Sequence, residues 1–146
     1  MKFRKYPQRD PIKNYFLLPN EIFCLGLCSG EFSVYSYLIL CENRKTFQCW
    51  PSYKTIGSAF QMSRNTVRKY VEMLEQKHFI TTEHTKVLMK NGQKRNGNLR
   101  YTVCPIAEAV EYYYQMQLEA AAREQAKEEV KRRLEEYDRN RGYRAG

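Results

Sequence analysis

The sequence lacks the features that mark membrane proteins and secreted proteins. Its apolar runs are only a few residues long, which predicts no transmembrane segment. The basic N-terminus, residues 1–9, is followed by no apolar core of the kind that a secretory signal contains. We therefore expect a cytoplasmic protein with no membrane partner.

The chain is also poor in residues that carry catalysis or bind metals. Asp10 and Asp138 are its only aspartates, and His78 and His84 are its only histidines. No phosphate-binding loop, nucleophile elbow or paired-carboxylate pattern occurs. The sequence therefore predicts no enzymatic activity, no cofactor and no metal site.

Cysteines are present in odd number and without a CxxC pair. The five are Cys24, Cys28, Cys41, Cys49 and Cys104. A metal site would need paired short spacings with histidine partners, which this chain does not offer. We expect the five to be small, buried apolar groups that stay reduced in the cytosol.

Positive charge is concentrated in the middle of the chain. The net charge is +9, and residues 51–105 carry ten basic and three acidic side chains, whereas residues 106–146 carry eight and nine. A merely solvated surface needs no such bias. A basic domain beside a nearly neutral tail indicates a polyanionic partner.

The first third of the chain predicts an arm, a short apolar segment and a helix. Residues 1–14, with five basic groups and two prolines, are expected to form a mobile arm. Residues 15–18 predict a strand or extended segment that packs on the core, and residues 20–23 a helical turn. Ser29 is the expected N-cap of a helix over residues 30–43, which is apolar on most faces and therefore central and buried.

Two shorter helices should follow, joined by a tight turn at residues 61–62. Ser52 caps the first, residues 53–60, which is expected to bury Ile56, Ala59 and Phe60. Ser63 caps the second. Its inner positions recur at helical spacing: Val67, Tyr70, Val71 and Leu74.

Beyond residue 78 the pattern changes to strands and then to one long helix. Residues 79–82, 85–89 and 99–103 are rich in strand formers, and the polar stretch 90–98 between them predicts a β-hairpin with a long basic loop at its tip. Residues 106 to about 140 favour a helix. The predicted fold is mainly α with a small β-hairpin: a winged helix-turn-helix domain over residues 15–105, then a C-terminal helix and frayed tail over 106–146.

A helix-turn-helix domain places its recognition helix in the major groove, so outward polar side chains on the third helix become candidates for base contacts. Arginine pairs with guanine and asparagine with adenine. The candidate base-reading residues are Arg64, Asn65, Arg68 and Lys69. The candidate phosphate and wing contacts are Ser52, Lys54, Thr55, Ser63, Thr66, Lys90, Lys94 and Arg95. The alternative is that these polar side chains form a helix face that is only solvated. The turn before the helix, its serine cap and the basic hairpin after it together favour DNA contact instead.

Three stretches resemble one known family. They are residues 49–57 (CWPSYKTIG), 62–68 (MSRNTVR) and 74–77 (LEQK). Together they are similar to the winged helix-turn-helix proteins of Gram-positive bacteria and their mobile elements, and residues 29–38 are similar to the first helix of that family. The resemblance, over about residues 15–105, implies DNA binding in gene regulation or in replication initiation.

Two positions depart from the family pattern. Glycine is usual in the turn before the recognition helix and again after it, but this chain has Gln61 and His78 there. If the backbone keeps a positive φ at these positions, a non-glycine residue costs about 1 kcal/mol, and His78 costs less because histidine tolerates that region better.

The C-terminal helix shows a heptad pattern with polar breaks. One seam holds Ile106, Tyr113, Ala120, Lys127 and Leu134; the other holds Ala109, Met116, Arg123, Val130 and Tyr137. This helix either pairs two copies of the chain into a homodimer or packs its first turns on the domain and leaves the rest solvated. Both remain open at this stage.

The leading hypothesis is therefore sequence-specific binding of double-stranded DNA by a transcription regulator or a replication-initiation factor. The alternative is a winged-helix adaptor that docks proteins, although such a docking face should be more apolar than Arg64, Asn65 and Arg68.

Overall fold

The computed structural model describes the backbone of residues 15–144 and the side chains of residues 15–142. The predicted mobile arm, residues 1–14, and the last two residues of the predicted tail lie outside the described part. The helices are a 3-10 helix Asn20–Cys24, α1 Ser29–Cys41, α2 Tyr53–Phe60, α3 Arg64–Gln76 and α4 Ile106–Arg144. The strands are β1 Gln48–Cys49, β2 Ile80–Glu83, β3 Lys86–Leu88, β4 Lys94–Asn96 and β5 Arg100–Val103. The predicted fold class, mainly α with a small β-hairpin in a winged helix-turn-helix domain before a long C-terminal helix, is confirmed, and the strands form two small antiparallel sheets.

The contacts divide the chain into two units. The first ends at Ala109 and contains α1 to α3 and both sheets, and the second begins at Val110 and consists of the remainder of α4. The core of the first unit gathers buried side chains from the helices and the sheet: Val34, Tyr35, Leu38, Ile56, Val67, Val71, Leu74, Phe79, Ile80 and Tyr101.

Helix α1 begins one residue earlier than predicted. Cys28, not Ser29, is its N-cap, because the Cys28 backbone N–H donates to the Glu31 carboxylate at 3.2 Å and the Phe32 N–H donates to the Cys28 carbonyl at 2.9 Å. The predicted burial holds for the body of the helix, because residues 30–39 are all buried or half-buried. The last turn is open, with Leu40 56 % exposed.

Helix α2 has the predicted bounds and the predicted Ser52 cap. Ile56 is buried as predicted, but Ala59 and Phe60 are exposed. The helix has only eight residues and ends at a left-handed Gln61, so its last turn lies at the rim of the domain. The Phe60 ring meets the Tyr37 ring edge-on, with 6.0 Å between the ring centres.

Helix α3 also begins after the predicted Ser63 cap, and it packs with the predicted face inward. Val67, Val71 and Leu74 are buried, whereas Tyr70 is half-buried. The Tyr70 ring lies on Gly30 of α1, where a Cβ atom would come within 2.2 Å of it. Glycine at position 30 therefore lets α1 and α3 approach closely.

The strands form two separate antiparallel sheets, with orders β1-β5-β2 and β3-β4. The prediction of a loop over residues 90–98 was wrong in part, because Lys94–Asn96 form β4 opposite β3. Strand β1 was not predicted either. It is two residues long and exists through its pairing with β5, Gln48 opposite Thr102, which no local pattern reveals.

The segment before the first helix differs from its prediction. Residues 15–19 have no regular secondary structure, and Leu17 is 81 % exposed, so this segment is not a strand buried on the core. The helical turn predicted over residues 20–23 is confirmed as the 3-10 helix, which buries Ile22.

The expectation that all cysteines are buried was wrong. Only Cys49 is buried, and its thiol donates to the Leu38 carbonyl at 3.6 Å. Burial raises the pKa of Cys49 to about 12. Cys24, Cys28 and Cys41 are exposed, and all five thiols are free.

Helix α4 extends through Arg144, beyond the predicted end near residue 140. Its many alanine and glutamate residues are strong helix formers and stabilise this long helix. None of the helices in residues 15–144 is long and apolar enough to cross a membrane.

Candidate nucleic-acid interface

The position of α3 is fixed at its C-terminal end by an ion pair whose carboxylate is buried. The Lys77 Nζ atom lies 2.8 Å from Glu31 Oε2 and also donates to the Gly26 carbonyl at 3.3 Å. Glu31 is only 1 % exposed, so removing Lys77 would leave a buried, uncompensated carboxylate. This ion pair holds the end of α3 to the start of α1.

The turn between α2 and α3 uses a left-handed residue, as expected from the family pattern. Gln61 has φ 56°, and His78, just after α3, has φ 65°. The Met62 N–H donates to the Gly57 carbonyl at 2.9 Å. A Cβ atom at Gly57 would lie 2.4 Å from the Met62 carbonyl oxygen, so this turn folds back onto α2 with no room for a side chain. Phe47, with φ 58°, is a third left-handed position, which was not predicted.

The same serine–threonine cap begins both helices of the motif. The Thr55 N–H donates to Ser52 Oγ at 3.0 Å, and the Thr66 N–H donates to Ser63 Oγ at 3.2 Å. Each serine also shares a 2.8 Å hydrogen bond with the hydroxyl of its threonine. That bond uses one hydroxyl proton of each pair, which leaves the second proton for an outside acceptor such as a phosphate oxygen.

The candidate base-reading side chains all project from the N-terminal half of α3. Arg64, Asn65, Arg68 and Lys69 are exposed. Arg68 Nε donates to Glu72 Oε1 at 3.1 Å, one turn further along the helix. This contact engages Nε and leaves the terminal Nη groups, which form the fork that pairs with guanine. The Lys69 Nζ atom lies 5.8 Å from the centre of the Tyr70 ring.

The wing is the hairpin of β3 and β4, and all of residues 86–96 are exposed. Lys90 lies in its tip, where Gly92 has φ 82°. Lys94 lies opposite Leu88, and Arg95 lies opposite Val87. Because successive side chains of a strand point to opposite faces, Lys94 and Arg95 cannot both face one DNA backbone. The prediction placed them together on a loop.

One hydrogen bond attaches the base of the wing to the segment before α2, and two more close the base itself. Asn98 Nδ2 donates to the Trp50 carbonyl at 3.1 Å, just before α2. Thr85 Oγ1 donates to the Asn98 carbonyl, and the Gly97 N–H donates to the Thr85 carbonyl at 2.8 Å. The wing is therefore oriented relative to α2 by its base.

A groove of about 450 Å³ runs between α3 and the sheet. It brings together Ser52, the N-cap of α2, Arg68 of α3 and Asn98 at the wing base, whereas Lys90, Lys94 and Arg95 do not line it. Three other residues that line the groove, Tyr53, Glu72 and His84, were not predicted. Only Glu72 carries a local signal, its spacing of four residues from Arg68.

Burial raises the pKa values of two tyrosines that line this groove. Tyr101 is fully buried, its hydroxyl has no hydrogen-bond partner among the described residues, and desolvation raises its pKa far above the ordinary value. Desolvation also raises the pKa of Tyr53. Both phenols are therefore neutral hydrogen-bond donors at physiological pH. In residues 15–142, no cluster of three His, Cys, Asp or Glu side chains could hold a metal ion.

Residues 25–80 match the sequence profile of a family described as a helix-turn-helix domain. The match spans α1, α2 and α3 and stops at the first residue of β2. The match agrees with the helix-turn-helix fold that α1, α2 and α3 form in the structure. The helix-turn-helix match does not include the β3–β4 wing. Among curated proteins, no sequence matches the chain.

Two solved structures are similar to the chain at low identity. One, described as a possible transcriptional regulator from Methanosarcina mazei Go1, is 16 % identical, with a TM-score of 0.46 over 70 % of this chain and 81 % of its own. The other, the circadian clock associated protein Pex from anabaena, is 17 % identical, with a TM-score of 0.36 over 70 % and 92 %. At these scores neither similarity bears on function.

Proposed function

We propose that this protein binds double-stranded DNA in a sequence-specific manner, with α3 in the major groove. The observation that carries the proposal is the division of α3 into two faces. Val67, Val71 and Leu74 are buried and fix the helix, while Arg64, Asn65, Arg68 and Lys69 are exposed on its N-terminal half. A recognition helix uses that half to contact base edges.

Backbone contacts would come from the elements around α3. The N-terminus of α2 offers the spare hydroxyl proton of the Ser52–Thr55 pair, and Lys54 beside it is exposed. Helix N-termini favour anions, which supports a phosphate contact there. The wing offers Lys90 and either Lys94 or Arg95, depending on which face of the hairpin meets the DNA.

The biological role that we propose is regulation of transcription or initiation of replication in a mobile element. The resemblance of residues 49–57, 62–68 and 74–77 to winged helix-turn-helix proteins of Gram-positive bacteria supports it. Selection of duplexes from a random pool with the purified full chain, followed by sequencing, would give the preferred DNA sequence. A regulator or initiator should enrich one sequence motif.

A protein-docking role is the second candidate, and one feature of the wing favours it. Leu88 and Val87 are 70 % and 53 % exposed on the two faces of the hairpin. Docking faces are depleted in charge at their centre, whereas Lys86, Lys90, Lys94 and Arg95 surround these two side chains. This arrangement fits a phosphate backbone better.

Electrostatics separates the two candidates directly. About four phosphate contacts, from α2, α3 and one face of the wing, predict that the logarithm of the DNA affinity falls with the logarithm of salt concentration with a slope of roughly −3 to −4. Fluorescence anisotropy of a labelled duplex at several salt concentrations measures it. A slope near zero, or no enriched motif in the selection, would contradict the proposal.

A further inference from the structure

The outer part of α4 carries an apolar stripe that is exposed to solvent. Every residue from 117 to 142 is exposed. Val130, Leu134 and Tyr137, three consecutive positions of the two heptad seams, are 56 %, 59 % and 63 % exposed. Tyr114 and Leu118 lie outside the seams. Apolar side chains repeated along one line of a long helix are typical of a helix that pairs with another.

The charges of this helix differ between its two halves. Residues 110–129 carry five acidic and two basic side chains, whereas residues 130–142 carry five basic and three acidic ones. A second copy of the same helix is therefore complementary to the first only when it runs in the opposite direction. In parallel orientation, like halves would lie side by side and repel.

We propose that α4 pairs with α4 of a second copy of the chain in antiparallel orientation, through residues 120–137. This proposal does not rest on DNA binding. The polar positions in the seams support the orientation independently of the overall charge. In a parallel pair, each seam residue meets its own counterpart, so Arg123 would face Arg123 and Lys127 would face Lys127.

In the antiparallel pair, each layer of the interface contains one residue from each helix. A residue of the seam that includes Ile106 in one copy meets a residue of the seam that includes Ala109 in the other copy. One register places Lys127 against Val130 of the second copy, Arg123 against Leu134, and the small Ala120 against the large Tyr137. No layer then contains two like charges. The long stems of arginine and lysine pack on the apolar partner while their charged ends reach water.

The side chains that flank the seams fit the same register. Glu124 and Lys131 occupy the same heptad position, next to one seam and seven residues apart. In the antiparallel pair, Glu124 of each copy faces Lys131 of the other. In a parallel pair, Glu124 would instead face Glu119 of the second copy. The charge of Glu124 is therefore attractive in one orientation and repulsive in the other.

Sedimentation equilibrium of the full chain and of charge variants tests the proposal. The unmodified chain should form a dimer that weakens as salt concentration rises. Glu124→Lys replaces two attractive pairs by two repulsive ones, so the dissociation constant should rise by about tenfold. Adding Lys131→Glu to the same chain should restore dimerisation. Glu136→Lys, the same charge change at a position about 120° around the helix from Glu124 and turned away from both seams, is the matched control and should have little effect.

Each other result would overturn the proposal. A chain that remains a monomer up to about 100 µM has no such interface of useful affinity. A dimer that becomes tighter with Glu124→Lys would be parallel. A dimer insensitive to both Glu124→Lys and Lys131→Glu would use another surface.

Discussion

Arg68 and Glu72 form the contact that matters most at the scale of single residues. Both side chains are exposed, 65 % and 58 %, so their ion pair contributes little to stability. The ion pair instead orients the guanidinium of Arg68, because a guanidinium held at Nε points its two Nη groups in a defined direction. Glu72 would thus be a positioning residue for the base contact that we propose for Arg68.

Replacing Glu72 by glutamine tests this role. The variant keeps the shape of the side chain but removes its charge, so we expect tighter binding to all duplexes and a loss of roughly three- to tenfold in discrimination at one base pair. Competition binding with the selected and a scrambled duplex measures both. Glu129→Gln on α4, which removes a similar i,i+4 pair with Arg133 at 2.7 Å, is the control. If Glu72→Gln leaves the discrimination between the two duplexes unchanged, the ion pair does not orient Arg68 for a base contact.

At the scale of elements, the pitch of α3 depends on the turn that precedes it. Gln61 takes a left-handed conformation, and Gly57 lies directly against the carbonyl of Met62. The lack of a side chain at Gly57 therefore lets the chain reverse between two helices that both contribute to the proposed interface.

Gly57→Ala should destabilise the first unit by about 1–3 kcal/mol, because the added Cβ would sit 2.4 Å from a backbone oxygen and force the turn to move. Chemical denaturation followed by the fluorescence of Trp50, the only tryptophan, measures the free energy of unfolding. Gly142→Ala, where nothing lies within 4 Å, should leave that transition unchanged. A loss below about 0.5 kcal/mol would mean that the turn adapts easily.

The elements also show which parts of the fold the sequence could predict. Both α2 and α3 have their predicted N-termini because Ser52 and Ser63 act locally. Strands β1 and β4 were missed because long-range pairing and a turn create them from polar residues without a strand pattern. The start of α1 was misplaced by one residue because its cap depends on Glu31, whose carboxylate is held by the distant Lys77.

The candidate interface was predictable to a similar extent. Spacing on α3 identified its outward side chains, all of which are exposed in the structure. It could not show that Lys94 and Arg95 lie on opposite faces of a strand, because that depends on the register with β3. Nor could it place Tyr53 and Tyr101 in one groove with Arg68, since these residues come from three different elements.

At the scale of the whole molecule, the two units carry different charge. The net positive charge lies in the unit that contains α3 and the wing, while α4 is nearly balanced but divided into an acidic and a basic half. The DNA binding that we propose belongs to the first unit, and the self-association that we propose belongs to the second. The two proposals can therefore fail separately.

The central claim is that α3 contacts base edges while the wing contacts the phosphate backbone. One comparison of variants tests this claim most directly. The affinities of Arg64→Ala, Arg68→Ala and Lys94→Ala are measured on the selected duplex and on a scrambled one, with Val67→Ala as a core control. Each arginine variant should lose about 1–3 kcal/mol on the selected duplex and relax preference at one base pair. Lys94→Ala should weaken both duplexes equally and reduce the salt slope by about 1 if its face meets the DNA. Val67→Ala should lower stability but not preference. If both arginine variants leave the ratio of the two affinities unchanged, α3 is not the reader and the account is contradicted.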